Sequence, residues 1–157
     1  MAGLPEANPG DVAARGRELT GMEYVQAICA GELPAPPISL LMGFRAVEAE
    51  PGRALFEMEP GPQHYNPIGS VHGGVALTLL DSAMGCAVHT LLDAGVGYTT
   101  IEVKTNFVRP ITADTGRVRC EGVVIHKGSR VATAEGKLID AEGKLLAHGT
   151  TTCLIFS

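Results

Sequence analysis

The longest apolar run of the chain extends from Gly73 to Leu92 and reads GGVALTLLDSAMGCAVHTLL. Its length indicates a helix, because strands in globular domains are usually no longer than about ten residues. The run approaches the length of a membrane span, but Asp81, His89 and its glycines argue against that interpretation. A helix that is apolar on most sides is normally buried. We therefore predict one long helix in the core of the protein.

Alternating apolar and polar positions predict strands on both sides of this helix. Before it, residues 43–50 and 53–59 alternate about Pro51 and Gly52, as the two strands of a hairpin would. After it, four segments have the strand pattern: about 98–108, 116–126, 130–140 and 144–156. Short or turn-rich connections join these segments, which favours antiparallel neighbours. The pattern predicts a largely antiparallel sheet of about six strands.

The N-terminal part of the chain contains a second helix signal. Thr20 and Glu23 have the spacing of a capping box, and Gly31 follows the last residue of the amphipathic pattern. A short amphipathic helix is therefore predicted between them. The prolines that come next, at positions 34, 36 and 37, predict an extended connection.

These elements predict an α+β fold in a single domain. A sheet of about six strands with one apolar helix must curve around that helix to bury it, and the other face of the sheet stays uncovered. The chain has 157 residues, which is one domain by size, and we assign that domain to residues 19–157. Residues 1–18 mix glycine, proline and charge without a period, and we expect a loosely ordered leader there.

Composition and charge exclude several functions. The net charge is −5 and no run of lysine and arginine occurs, so a nucleic-acid partner is not expected. The four cysteines are widely spaced and the N terminus lacks the apolar run of a signal peptide, which favours a reduced, cytoplasmic setting. No cluster of histidine and cysteine at ligand spacing is present, so we expect no metal.

Asp81 is the first candidate for chemistry because it is the only formally charged residue in the apolar run. A carboxylate is costly to bury unless partners or a catalytic task hold it there. The same run begins with Gly73 and Gly74, directly after a glycine-containing loop. A helix start presents free backbone N–H groups with partial positive charge, which suit a carbonyl oxygen that develops negative charge.

The spacing of Gly73 and Asp81 has a geometric consequence. Eight residues along a helix cover about 12 Å, so both groups of one chain cannot reach the same reacting carbon. If both act on one substrate, they come from different subunits of a two-fold dimer. Such a pair supports acyl transfer to water, with the Gly73 N–H as oxyanion donor and Asp81 as general base or nucleophile.

The chain resembles hotdog-fold acyl-coenzyme A thioesterases, in particular the phenylacetate-degradation thioesterase family. The sequence NPIGSVHGG at 66–74, with Asp81 eight residues beyond Gly73, carries the resemblance. It extends from about Leu33 to the C terminus and includes Phe107 and Pro110. The resemblance implies a central helix wrapped by a curved antiparallel sheet, dimers whose sheets join, and dimers paired into tetramers.

The resemblance also implies roles for particular residues. Gly73 corresponds to the backbone donor to the thioester carbonyl, and Asp81 to the catalytic carboxylate. Asn66 and His72 match polar residues that lie near the thioester from the opposite subunit. Thr100 falls where relatives carry a water-orienting serine or threonine, although the alignment could instead place Thr99 there.

Coenzyme A carries phosphates, so cationic residues are expected near the mouth of the site. In similar proteins the turn between the late strands lies beside the nucleotide. The corresponding residues here, together with a further candidate cation, are Lys127, Gly128, Ser129, Arg130 and Arg109. The acyl-coenzyme A is the substrate, and no cofactor is expected.

The sequence therefore predicts a thioesterase that hydrolyses a medium-chain or aromatic acyl-coenzyme A. Two other functions stay open: a hotdog hydratase or dehydratase acting on 3-hydroxyacyl thioesters, and a non-catalytic acyl-coenzyme A-binding protein. Structural interpretations also stay open for three residues. Asp81 could bridge subunits, His72 could cap the helix, and Asn66 could form a turn.

Overall fold

The computed structural model describes residues 9–157. It contains four α-helices, which are α1 (Pro9–Gly16), α2 (Gly21–Ala30), α3 (Pro37–Met42) and α4 (Gly73–His89). The six strands are β1 (Phe44–Glu50), β2 (Arg53–Met58), β3 (Gly97–Phe107), β4 (Val118–Lys127), β5 (Val131–Ile139) and β6 (Leu145–Phe156). Within residues 9–157, no helix is both long and apolar enough to cross a membrane.

The strands form one antiparallel sheet in the order β1-β2-β4-β5-β6-β3. Helix α4 packs against all six strands of this sheet and supplies the centre of the core through Leu79, Leu80, Ala83 and Met84. The predicted α+β class and the hotdog arrangement of one long helix in a curved sheet are confirmed.

Two strand glycines allow the helix to lie close to the sheet. A Cβ atom at Gly122 of β4 would lie 2.4 Å from the backbone of Ala83, a distance that real Cβ atoms do not adopt. On β5, a Cβ at Gly136 would lie 2.9 Å from the Leu80 side chain. Larger residues at these positions would push α4 away from the sheet, so the glycines set the depth at which the helix sits.

The N-terminal elements agree with the sequence only in part. Thr20 and Glu23 form the predicted capping box at the start of α2, and Gly31 ends that helix with a φ of 74°. The predicted extended connection after α2 is wrong from Pro37 onward, where α3 begins. Proline is well suited to the first position of a helix because its missing N–H would have no intrahelical partner there.

The leader predicted for residues 1–18 falls partly outside the described residues. Within the described part, Pro9–Gly16 forms helix α1. Proline again stands at the first helical position, and Val12, Ala13 and Ala14 are compatible with a helix.

Strand β3 lies at the edge of the sheet, and within the described residues only β6 pairs with it. It has eleven residues, and two of its apolar side chains are open to solvent, with Ile101 56% and Phe107 60% exposed. A long edge strand with apolar side chains offers unpaired backbone N–H and C=O groups to another strand. This edge is therefore a surface at which a second sheet can join.

Glu57 is a buried carboxylate on the face of the sheet away from α4. Its side chain is 6% exposed, and it accepts hydrogen bonds from Arg45 at 3.2 Å and Arg119 at 2.9 Å, with Arg117 at 3.8 Å. Burial alone would raise the pKa of Glu57. The hydrogen bond from Arg119 and the charges of Arg119 and Arg117 outweigh that effect and lower the pKa below its ordinary value.

This lowered pKa predicts a pH-dependent stability. The contribution of Glu57 is fully present above the pKa of an unfolded glutamate, about 4.3, and is lost as pH falls through the lower folded value. We expect Glu57→Gln to reduce the slope of unfolding free energy against pH in that acidic window. Urea unfolding of both proteins from about pH 7 to about pH 3 tests this. Parallel curves would contradict it, and Glu142→Gln, at an exposed carboxylate, is the control.

Candidate active site

Asp81 and Thr100 meet on the inner side of the sheet. Asp81 lies in the middle of α4, and its Oδ1 accepts a hydrogen bond from the Thr100 hydroxyl at 2.9 Å. The neighbouring Thr99 is exposed, because successive side chains of a strand point to opposite faces. The structure therefore places Thr100, and not Thr99, beside the carboxylate. The hydroxyl oxygen of Thr100 can still accept a hydrogen bond from water.

These two polar residues line a cavity of about 250 Å³, called here the Asp81 cavity. Its other walls come mainly from apolar side chains of α2, α3, β1, β2 and β3. Among them are Val25, Ile28, Ile38, Phe44, Phe56 and Tyr98. The Asp81 carboxylate and the Thr100 hydroxyl beside a largely apolar chamber form a site for a molecule with a polar reacting group and an apolar tail.

Cys86 also lines the Asp81 cavity, where a thiol could act as a nucleophile. Burial, together with the nearby Cys29 and Asp81, raises the pKa of Cys86 to about 12. The thiol is therefore protonated near neutral pH, and a protonated thiol is a poor nucleophile. Cys86 is therefore not a candidate nucleophile of the Asp81 cavity.

Gly73 begins α4 at the other end of the helix. No acceptor for its backbone N–H is found among the described residues, as is usual at a helix start. The ring of Phe107 packs on this glycine so closely that a Cβ atom would lie 2.9 Å from it. A larger residue would displace the ring. The free Gly73 N–H therefore lies beside Phe107 at the end of β3, and both residues line the same cleft.

His72 is the N-cap residue of α4. Its Nδ1 accepts a hydrogen bond from the Gly74 N–H at 2.9 Å, so the neutral ring carries its proton on Nε2. The capping interpretation of His72 is thus observed. It does not compete with a role at the thioester, because Nε2 has no partner among residues 9–157.

Asn66 shapes the loop before the helix. Its side-chain oxygen accepts from the N–H groups of Ile68 at 3.0 Å and Ser70 at 3.2 Å, and its amide donates to the Ser70 hydroxyl at 3.0 Å. Gly69 has a φ of 91°, which completes the turn. Asn66 therefore acts as a turn former in the subunit, with one amide hydrogen left for another partner.

Asn66, His72, Gly73 and Arg109 line one cleft of about 430 Å³, whereas Asp81 and Thr100 line the Asp81 cavity. Within one chain, the structure does not bring the two groups of predicted residues together. This agrees with the separation expected from their spacing along α4.

The predicted coenzyme A residues also fall into two places. Lys127 to Arg130 form the turn between β4 and β5, in which the Gly128 N–H donates to the Val131 carbonyl at 2.8 Å. Lys127, Ser129 and Arg130 are exposed, and neither of the two cations has an ion pair with a described residue. Arg109 follows β3 at the opposite end of the sheet and donates to the Leu145 carbonyl.

His64 supports the Asn66 loop, a role that the sequence analysis did not predict. The buried ring accepts from the Gly61 N–H at 2.9 Å through Nδ1 and lies 3.0 Å from the Met42 carbonyl through Nε2. Its own carbonyl accepts from the His72 N–H at 2.8 Å. His64 thus connects the end of α3 to the residue before Gly73. A histidine in a loop has no periodic pattern, so only its position two residues before Asn66 could have suggested such a role.

The described residues contain no cluster of side chains that could bind a metal ion. Among residues 9–157, no three histidine, cysteine, aspartate or glutamate side chains lie where they could hold one ion. Cys29, Cys86, Cys120 and Cys153 are free thiols.

Comparison with known proteins relates this geometry to a family. The sequence model of the thioesterase superfamily matches residues 68–147, which include the start of α4, Asp81 and Thr100. Human acyl-coenzyme A thioesterase 13 is 29% identical over 107 residues, which are 68% of this chain and 75% of the human protein.

Two solved structures are also similar. A phenylacetic acid degradation-related protein from Ralstonia eutropha has a TM-score of 0.75 and 27% identity, covering 83% of this chain and 98% of that one. A mutant form of a phenylacetic acid degradation protein from Thermus thermophilus has a TM-score of 0.68 and 29% identity, covering 76% and 98%.

Proposed function

Because the chain belongs to the thioesterase superfamily and is a thioester hydrolase, we propose that its substrate is an acyl-coenzyme A with a medium-chain or aromatic acyl group. Hydrolysis releases the free acid and coenzyme A. One observation carries the proposal: the hydrogen-bonded pair of Asp81 and Thr100 lies on the wall of an apolar cavity. The apolar chamber suits the acyl group, and the polar pair suits a hydrolytic water.

We further propose that the working site is shared by two subunits that pair through β3. Thr100 lies beside Asp81, and Phe107 packs on Gly73. If two β3 strands pair antiparallel about a two-fold axis between Val103 and Lys104, Thr100 lies opposite Phe107 of the partner subunit. Asp81 then faces Gly73 of the partner subunit. The exposed edge of β3 supports this pairing.

In such a dimer the residues have distinct tasks. The Gly73 N–H donates to the thioester carbonyl oxygen and stabilises the oxyanion, a contribution of about 2.7–4 kcal/mol in a known case. Asp81 of the other subunit takes a proton from a water that Thr100 orients, and the water oxygen bonds to the carbonyl carbon. The carbon–sulfur bond then breaks, and the proton passes to the departing thiolate. Asn66 and His72 position the thioester or its sulfur.

The same pairing would bring the cations of the turn at 127–130 close to Arg109 of the partner subunit. The turn from Lys127 to Arg130 lies near the start of β3, because Val131 and Thr99 both pair with Leu154. Arg109 follows the end of β3, and antiparallel pairing brings Arg109 of the partner subunit to the start of the strand. Cations from both subunits would then flank the phosphates of coenzyme A. The proposal includes no metal or cofactor, a cytoplasmic setting, and dimers that pair into tetramers.

An acyl-coenzyme A panel tests the proposal by release of free thiol. We expect turnover of medium-chain or aromatic substrates in buffer that contains a chelator. Tight binding without thiol release across the panel would contradict hydrolysis and favour a non-catalytic acyl-coenzyme A-binding protein. A change in enoyl absorbance without thiol release would indicate a hydratase or dehydratase. Light scattering of the same protein gives its oligomeric state, and a monomer at working concentration would contradict the shared site.

A further inference from the structure

Tyr98 separates two cavities. Its ring is one wall of the Asp81 cavity, and it also lines a second cavity of about 500 Å³. Among residues 9–157, no other residue lines both of these cavities. The second cavity lies between α1, α2, the end of α4 and the end of β6, where Tyr24, His89 and Phe156 contribute to its wall.

The ring of Tyr98 is held in place by its neighbours. It packs on the His89 ring with 5.3 Å between centroids, and His89 packs on Tyr24 at the same distance. The Tyr98 hydroxyl lies at Gly85, where a Cβ atom would be 3.1 Å from the oxygen. No hydrogen-bond partner of this hydroxyl is found among residues 9–157, so contact with the surrounding side chains fixes the ring.

The residues of α4 that lie beside Tyr98 show on which side of the ring each cavity lies. Asp81, Gly85 and His89 are spaced by four residues and therefore lie on one stripe of α4. Asp81 lines the Asp81 cavity at one end of this stripe. Gly85, one turn further, contacts Tyr98, and His89, at the other end, lines the second cavity. An acyl chain that starts at Asp81 and follows the stripe meets the Tyr98 ring before it can enter the second cavity.

We propose that Tyr98 is the residue that limits acyl-chain length. In the wild type, the acyl group ends against the ring and is confined to the Asp81 cavity of about 250 Å³. Removal of the ring joins this cavity to the second one, and longer straight chains become ligands. The inference rests on the proposed function, since it takes the Asp81 cavity as the acyl site.

Binding of free saturated fatty acids of increasing length tests whether Tyr98 limits chain length, and it does not require turnover. Calorimetry on the full-length protein should show affinity rising with chain length and then reaching a limit. In Tyr98→Ala the limit should move to longer acids, and two additional buried methylene groups should improve affinity about tenfold. Tyr98→Leu serves the same purpose if the alanine variant does not fold, because it keeps more of the buried surface.

Three matched variants identify the cause of a shift in the length limit. Tyr98→Phe keeps the ring and should keep the length limit, so a limit that moves in this variant would overturn the proposal. Thr99→Val changes the next residue, whose side chain is exposed on the other face of β3, and should leave the profile unchanged. Gly85→Ala adds a methyl group against the Tyr98 hydroxyl and should not extend the limit.

The outcomes separate this inference from the proposed function. Folded Tyr98→Ala and Tyr98→Leu proteins with the wild-type limit would overturn the role of Tyr98, whatever the rate of hydrolysis. A wild type that binds fatty acids up to a limiting chain length, but releases no thiol from any acyl-coenzyme A, would overturn hydrolysis. The role of Tyr98 in limiting chain length would remain supported. A wild type that binds no fatty acid would overturn the assignment of the Asp81 cavity as the acyl site. The role of Tyr98 in limiting chain length would then fall as well.

Discussion

Replacement of Asp81 by asparagine is expected to lower the rate of thiol release by about 10²–10⁴-fold, the usual contribution of a positioned general base. Asparagine has nearly the same size, and its side-chain oxygen can still accept the hydrogen bond from Thr100. The substitution therefore removes the basic oxygen while it preserves the packing around it. Steady-state kinetics with the best acyl-coenzyme A of the panel measures the effect, which should fall mainly on kcat.

A matched control is available on the neighbouring strand. Glu102 is an exposed carboxylate of β3 whose side chain contacts Thr152 at 3.3 Å, and Glu102→Gln makes the same chemical change outside the cavity. This variant should retain nearly wild-type kcat. Product binding and thermal unfolding of Asp81→Asn should also be close to wild type. An Asp81→Asn protein that hydrolyses at a near wild-type rate would remove Asp81 from the mechanism.

Activity should return when two inactive variants share a dimer. Asp81→Asn loses the base, and Asn66→Ala loses both the loop contacts to Ser70 and the amide near the thioester. If each site uses Asp81 of one subunit and Asn66 of the other, a mixed dimer contains one intact site and one doubly altered site. Equal amounts of the two subunits should therefore recover about a quarter of the wild-type rate.

This experiment requires proof that subunits have exchanged. Two different affinity tags, purified in sequence, isolate the mixed dimer. Its thiol-release rate is then compared with those of the two parents. A purified mixed dimer no more active than its parents would show that Asp81 and Asn66 of the same subunit serve one site, and the two-fold pairing of β3 would have to be abandoned.

The sequence predicted the long elements because they carry their own signal. Helix α4 and all six strands appear within a few residues of their expected bounds, since apolar periodicity over six or more residues reflects which face is buried. Helix α2 was predicted from Thr20, Glu23 and Gly31, which act locally. The thioesterase family was also recognisable, because its motif is one continuous segment at 66–74 followed by Asp81.

Short elements and long-range contacts were not predictable in this way. Helix α3 has six residues, begins at a proline and has Ser39 as its buried residue, so no apolar period distinguishes its sequence from an extended linker. The brace formed by His64 depends on Met42, which is 22 residues away in the chain. The position of the Tyr98 ring depends on its contacts with Gly85 and His89, and no local sequence pattern predicts these contacts.

The sequence by itself determined the long helix α4, the six strands and the carboxylate that stands alone among apolar neighbours, since these depend on spacing along the chain. Only the tertiary structure decided that Thr100 and not Thr99 lies beside Asp81, and that Tyr98 lies between two cavities. These facts depend on the register between β3 and β6 and on the depth at which α4 sits on its strand glycines. Both are set by packing between residues distant in sequence.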